Sequence, residues 1–335
     1  MTDVARHAGV AVGTVSNTLN NPDKVAETTR RRVLSSIAEL GFVRNDAARS
    51  LAAGSSTTIG LVIADLGNSF FVDIARGADD AVRRRRMNVL IANSDIDTDR
   101  ELRNLEVFEQ SRVAGIIMAP LDTPLARSQV LPIRSTPTVF VNFESQVHKL
   151  PAVAVDEHRG GALAAAHLLQ LGRRRILFAG GPMFLTAVKE RREGAQAEIA
   201  GHPDATFDSL ESQGLNIRHG RDIAREILNR GTDRYDAMIA ASDLLAIGLT
   251  QVLMEAGGVR VPEDIAVTGY DDNHFASESS LPITTISQPG EEMGRVAADL
   301  LLERIADPTV PARTIVLPPR LIPRRSTLGS LWRRD

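Results

Sequence analysis

Asn17 carries side-chain chemistry that can read a nucleic-acid base, because one acceptor and two donors on a planar amide can grip adenine bidentately. It lies in the apolar-periodic run Val12 to Leu19, which follows a helical start at Asp3 to Ala8, a break at Gly9 and a turn of a few residues. That is the spacing of a helix-turn-helix, in which the N-terminal part of the second helix enters the major groove. Val12, Gly13, Thr14, Ser16 and Asn17 would then sit near bases or phosphates. Val12 can only touch a thymine methyl, and Gly13 reads nothing directly. Taken as spacing alone, the pattern also fits an ordinary helical hairpin of a globular protein.

Other chemistries lack their residues. The 335-residue chain has no cysteine, which removes disulfide scaffolds, cysteine-held zinc, iron–sulfur clusters and thiol nucleophiles. There is no Gly-x-Ser-x-Gly elbow, no Gly-x-x-x-x-Gly-Lys-Ser/Thr phosphate loop, no Gly-x-Gly-x-x-Gly fingerprint and no His-Glu-x-x-His pair. The seven histidines show no metal-ligand spacing. These absences argue against an enzyme, a metal site and a cofactor. No apolar run is long enough to span a bilayer, and the opening residues lack a signal peptide's basic and apolar regions, so a cytoplasmic protein without membrane contact is expected.

Charge divides the chain further. The first 58 residues hold Arg6, Lys24, Arg30, Arg31, Arg32, Arg44 and Arg49 against Asp3, Asp23, Glu27, Glu39 and Asp46. The net charge of the whole chain is -3, so this basic head is joined to an acidic body. The asymmetry points to a polyanion partner for the head alone.

The elements that position these residues follow from periodicity. Thr28 to Leu40 makes a third head helix, and Val4, Ala8, Val15, Leu19, Val33, Ile37 and Leu40 form a small core. Asn45 to Ala53 is a short helical pattern, followed by the linker Gly54-Ser55-Ser56-Thr57-Thr58. Beyond it, buried strands at 59–66, 88–94, 113–120, 137–142, 152–156, 175–181, 237–242 and 265–271 alternate with helices at 71–86, 99–111, 160–172, 186–199, 220–230, 244–256 and 291–305. Continuous apolar strands alternating with amphipathic helices mean an α/β body whose parallel sheets are covered on both faces. One barrel and two doubly wound sheets both satisfy that pattern.

The chain resembles the lactose/galactose repressor (LacI/GalR) family of bacterial transcription regulators over nearly its whole length. The resemblance rests on Asp3-Val4-Ala5, Ala8-Gly9-Val10, Thr14-Val15-Ser16 and Leu19-Asn20 in the head, followed by Thr29-Arg30 and Ala38-Glu39-Leu40-Gly41-Phe42. It continues through Asn45, Ala48-Arg49-Ser50-Leu51, Asn68-Ser69-Phe70-Phe71, Gly269-Tyr270-Asp271-Asp272, Leu281-Pro282 and Thr284-Thr285-Ile286-Ser287-Gln288-Pro289.

It implies a helix-turn-helix head over 1–44, a hinge helix and linker over 45–58, and an effector-binding and dimerisation domain over 59–330. That domain would comprise two doubly wound parallel-sheet subdomains of periplasmic-binding-protein type, about 59–157 plus 290–317 and about 160–287 plus 320–330. The crossovers would fall near 157–160, 287–290 and 317–320. Asn45, Leu51 and Ala52 would belong to the hinge helix on DNA, with Leu51 wedged between base pairs of the minor groove.

The resemblance also implies a small-molecule effector, such as a sugar, in the cleft. Phe70 and Phe71 match the aromatic pair that stacks on it, Asn142 and Phe143 follow the fourth strand, and Arg191 matches a ligand-clamping arginine. Ser242 stands where relatives often have asparagine, and Asp271 matches an acidic contact at a strand end.

Departures from the pattern are Ala11 and Ala26 at positions usually occupied by serine caps, Arg44 in place of a frequent proline, and a start a few residues short of the usual one. The only tryptophan, Trp332, lies in the C-terminal tail. The expected function is an effector-controlled repressor binding a pseudo-palindromic operator as a homodimer, without a leucine heptad for a larger assembly. The competing expectation is a sugar-binding protein of periplasmic type with no regulatory role.

Overall fold

The computed structural model describes residues 1–42, 56–121, 136–143, 150–256 and 258–333. The chain divides into two compact units, residues 1–55 and 56–335.

The head contains α1 (Thr2–Ala8), α2 (Val12–Asn20) and α3 (Glu27–Glu39), with a 3-10 turn at Pro22–Lys24. Gly9 closes α1 in the left-handed conformation, at φ 62°, and lets the Val10 N–H return to the Ala5 carbonyl at 3.0 Å. Val4, Ala5, Ala8, Val15 and Val33 are buried between the helices, with Val10, Leu19, Ile37 and Phe42 packed against them. Leu40, expected in that core, is exposed. It caps α3, and the chain then turns at Gly41, so that Phe42 takes the core position with its N–H on the Ile37 carbonyl. The stretch 45–53, including Asn45, Leu51 and Ala52, lies outside the described residues.

The body is built on two sheets. The first has six parallel strands: β1 (Thr58–Ile63), β2 (Asn88–Asn93), β3 (Ile116–Met118), β4 (Thr138–Val141), β5 (Ala152–Val155) and β11 (Thr314–Leu317). Their order is β2-β1-β3-β4-β5-β11. Helices α4 (Ser69–Arg83), α5 (Thr98–Gln110) and α11 (Gly290–Ala306) flank it. The sequence pattern suggests a buried β2, but β2 is an edge strand with Leu90 and Ile91 exposed.

The second sheet has β6 (Arg175–Gly180), β7 (Thr206–Glu211), β8 (Ala237–Ala240) and β9 (Ala266–Thr268), parallel in the order β7-β6-β8-β9. An antiparallel pair, β10 (Thr285–Ser287) and β12 (Arg320–Ile322), adjoins it through the bridges Thr268–Thr284 and Asp271–Ser287. Helices α6 (Glu157–Gln170), α7 (Thr186–Ala200), α8 (Ile217–Arg230), α9 (Asp243–Glu255), α10 (His274–Glu278) and α12 (Arg325–Leu328) complete this half. Two sheets, rather than one barrel, therefore form the body.

The chain passes between the sheets at Asp156, at Gln288–Pro289 and at Pro318–Pro319. The first passage comes just before the expected 157–160, because α6 already packs on the second sheet. Burial drives both halves. Val62, Ile117, Val139 and Val153 on one sheet, and Leu177, Phe178, Met238 and Ile239 on the other, are fully or almost fully removed from water. At about 25 cal/mol per Å² of apolar surface, each such side chain contributes roughly 1.5–3 kcal/mol.

Candidate functional site

In the head, α2 presents Val12, Gly13 and Asn17 to solvent, with Thr14 and Ser16 half-buried beside them. The opposite face is fixed by Val15 in the core and by Thr18, whose hydroxyl donates to the Thr14 carbonyl at 2.9 Å. Ser16 accepts from Asn20 at 3.2 Å, which occupies part of its capacity. The five expected residues thus lie on the first two turns of one helix, with the only Asn among them exposed. His7 on α1 meets Ser36 on α3 at 3.0 Å and links the first helix to the third. Neither α2 nor α3 receives a side-chain cap, because Ala11 and Ala26 have no acceptor to give.

In the body, a cleft of about 150 Å³ opens at the strand ends of both sheets. Phe70, Phe71, Asn142, Phe143, Arg191 and Asp271 all line it. Phe70 and Phe71 begin α4, their ring centroids 5.2 Å apart and tilted by 59°, and both also belong to the first core. Asn142 and Asp271 hold left-handed backbone, at φ 57° and 105°, conformations that Asn and Asp tolerate better than bulkier residues.

Arg191 sits in a dense polar network. Its Nε and Nη2 donate to the two oxygens of Glu157 at 2.8 and 2.9 Å, and Nη1 donates to the Ala241 carbonyl at 2.8 Å. The guanidinium lies 3.7 Å above the Tyr270 ring, and Nη1 is 3.6 Å from Asp271. Burial opposes its charge, but Glu157 and Asp271 outweigh that and hold its pKa above the ordinary value. The helix pair that carries this contact packs backbone to backbone: a Cβ on Gly161 of α6 would lie 1.9 Å from the Arg191 carbonyl oxygen.

Asp271 accepts from Asn68 at 2.7 Å and from Gln288 at 2.8 Å. Burial pushes its carboxyl up to about 6, against the pull of Arg191 and Asn68. Asn68 also caps α4 by accepting from the Phe70 N–H, and it accepts from Asn273 at 3.0 Å. It therefore ties the end of β1 to the loop after β9.

Ser242 does not join the cleft lining. Its hydroxyl donates to the Leu215 carbonyl at 2.6 Å and caps α9 through the Leu245 N–H. Sequence reasoning missed Glu157, Asn68 and Gln288 as members of this network. Asn68 opens the Asn68-Ser69-Phe70-Phe71 motif and could have been found as a helix cap. Gln288 lies inside the motif Thr284 to Pro289 and could have been found there, whereas Glu157 stands at a chain passage between the sheets with no local sequence signature.

Comparison with known proteins places this geometry. Residues 1–45 match the bacterial regulatory proteins, lacI family, and residues 165–327 match the periplasmic binding protein-like domain. The ribose operon repressor of Bacillus subtilis (strain 168) is 34% identical over 325 residues, which is 97% of each chain. The chain belongs to the lacI family.

Among solved structures, the lac repressor dimer bound to operator and the anti-inducer ONPF superposes with a TM-score of 0.81 at 27% identity, covering 98% of both chains. The complex of the transcriptional regulator CelR with cellobiose superposes at 0.71 with 31% identity, covering 97% of this chain and 98% of that one. As a lacI-family member, the chain is a DNA-binding transcriptional regulator with a periplasmic-binding-like body. These relatives are regulators rather than enzymes. Among the described residues, no helix is long and apolar enough to cross a membrane.

Proposed function

We propose that this lacI-family chain is a cytoplasmic repressor, without catalytic activity, that binds a pseudo-palindromic operator as a homodimer and is controlled by a sugar in the body's cleft. Val12, Gly13, Thr14, Ser16 and Asn17 contact DNA, with Asn17 reading a base edge. Asn45, Leu51 and Ala52 serve the hinge. The two subdomains are about 59–157 plus 290–317 and about 160–287 plus 320–330, and the effector sits between them against Phe70, Phe71, Asn142, Phe143, Arg191 and Asp271. Ser242 contributes by fixing α9 rather than by touching the effector.

The observation that carries this reading is the cleft itself, where buried Arg191 and Asp271 face aromatic rings at the strand ends. Rings stack on sugar faces while paired polar groups fix hydroxyls. Ribose operon repressor and the CelR–cellobiose complex supply the sugar class. Sugar binding alters DNA affinity only if the two arrangements of the subdomains bind the sugar unequally.

The test is a thermal-shift screen of neutral sugars, D-ribose and cellobiose among them, followed by operator binding with each hit. A hit that stabilises the protein and changes operator affinity supports the reading. Tight sugar binding with no salt-sensitive binding to any palindromic DNA would favour the plain sugar-binding protein instead.

A further inference from the structure

Two arginine runs stand at matching places in the body's two sheets, residues 83–86 just ahead of β2 and residues 173–175 at the start of β6. The second run serves the fold. Arg173 donates to the Pro262 carbonyl at 2.5 Å, Arg174 donates to Asp204 at 2.6 Å and to the Leu169 carbonyl at 2.9 Å, and Arg175 lies 3.6 Å from Asp236. In the first run only Arg83 is engaged, with Asp79 one turn earlier on α4. Arg84, Arg85 and Arg86 are exposed and make no ion pair or side-chain hydrogen bond with a described residue.

Backbone conformation separates the two halves again. Where α6 and α8 turn back toward a strand, the left-handed position is a glycine, Gly172 at φ 81° and Gly231 at φ 96°. Where α4 and α5 do so, it is an arginine, Arg86 at φ 57° and Arg112 at φ 51°. A side chain is strained there and glycine is the usual solution, so neither arginine serves its turn as well as glycine would. Arg112 is also exposed and has no partner among the described residues.

Both arginine turns adjoin the place where the chain enters the body. The Asn88 N–H donates to the Thr57 carbonyl at 2.9 Å, and the Ala114 N–H donates to the Thr58 carbonyl at 2.7 Å. Since β2 and β3 flank β1, their starts lie about 10 Å apart at one end of the sheet, the end away from the cleft. Acidic neighbours do not neutralise this end. Asp299 and Glu303, which border Arg84 and Arg85, already pair with Arg295 at 3.7 Å and Arg313 at 2.8 Å.

We infer that this end of the first sheet is a second DNA contact, in which Arg84, Arg85, Arg86 and Arg112 bind backbone phosphates of the duplex that the head holds. The planar guanidinium fork matches phosphate bidentately. Such contacts carry no sequence information, and each is weak alone. The chain entering at Thr57 tethers a head-bound duplex to the body, which raises the effective concentration of phosphate at this face. The inference depends on DNA binding by the head and is independent of the effector.

Fluorescence anisotropy of the full chain tests this on a duplex selected by the protein and on a scrambled duplex of equal length, between about 50 and 200 mM salt. Each phosphate contact contributes about 0.9 to the slope of log K against log salt. The variant Arg84→Ser/Arg85→Ser/Arg86→Gly should therefore lose about 2 or more from that slope. It should bind both duplexes on the order of tenfold more weakly, with the ratio between them unchanged. Arg86→Gly alone separates the contact from folding. Glycine suits φ 57°, so Tm should hold or rise while the slope falls by about 1. Wild-type slopes on both duplexes in both variants overturn the inference, whatever the Tm, and leave an acidic protein surface as the patch's partner. A loss confined to the selected duplex overturns it too, since that would be base reading.

Discussion

Charged pairs on the head lie in water, whereas the pair at the centre of the body is sealed from it. Arg6–Asp3 and Arg31–Glu27 have side chains between half and four-fifths exposed, while those of Arg191 and Glu157 are 5% and 6% exposed. Exposed pairs contribute about 0–1 kcal/mol and are screened by salt. A buried pair contributes little net stability when intact but is costly to break. The head also rests on five buried apolar side chains and three helices without a side-chain N-cap. The body has two sheets and a polar network whose members hold one another in place. The difference suits a head whose recognition face stays available to DNA and a body whose cleft is formed before its ligand arrives.

The largest effect should come from breaking the buried pair. Arg191→Ala removes the buried partner of the Glu157 carboxylate and should cost about 3–5 kcal/mol of body stability, read from urea unfolding. A loss near zero would mean that the pair is solvated after all. Its effect on effector binding must therefore be read beside its stability.

Glu101 gives the next effect, in the opposite direction. It is 1% exposed, accepts from the Leu121 N–H at 2.7 Å, and is pushed up to about 7 by burial against that bond's pull. A raised carboxyl favours the folded state fully below its ordinary value of 4.5, and that contribution is lost as pH rises through about 7. Glu101→Gln keeps an acceptor without the charge. It should match the wild type near pH 4.5 and exceed it by about 3 kcal/mol at pH 8. A gap that does not change with pH would contradict this.

On the head, Asn17→Ala should weaken binding to the preferred DNA by about 1–3 kcal/mol while leaving nonspecific binding and body stability unchanged. Equal losses on both DNAs would remove Asn17 from base reading. The smallest change is expected from Ala11→Ser, which restores a cap to α2 and should add about 1 kcal/mol to the head. Amide exchange of the free protein checks it: head amides should exchange faster than body-core amides in the wild type and slow in the variant. Strong head protection in the wild type would contradict a loosely held head.

How much could be read from sequence depends on what each element buries. The parallel α/β character of the body was legible because strands such as 59–63 and 237–240 are apolar throughout and are covered on both faces, while the choice of two sheets over one barrel came only with the family resemblance. Thr206–Glu211 was not, since an edge strand needs little burial and this one carries Asp208 and Glu211. The short pair 285–287 and 320–322 gives no periodicity long enough to read.

In the cleft, Phe70, Phe71 and Asp271 belong to contiguous motifs, so their positions were readable. The Arg191–Glu157 contact spans 34 residues and depends on close helix packing at Gly161, which no local pattern announces. Ser242 misled because a hydroxyl at a strand end can serve a ligand or cap the next helix, and only the structure shows the second use.

The central claim, that occupancy of the cleft governs DNA binding by the head, is tested most directly by fluorescence anisotropy. The full chain would be titrated onto DNA selected by the protein itself, with and without a neutral sugar that binds the cleft. The account predicts a change in apparent Kd of at least about fivefold, the lower end of allosteric coupling. An unchanged Kd at a saturating concentration of a sugar that demonstrably binds would contradict it.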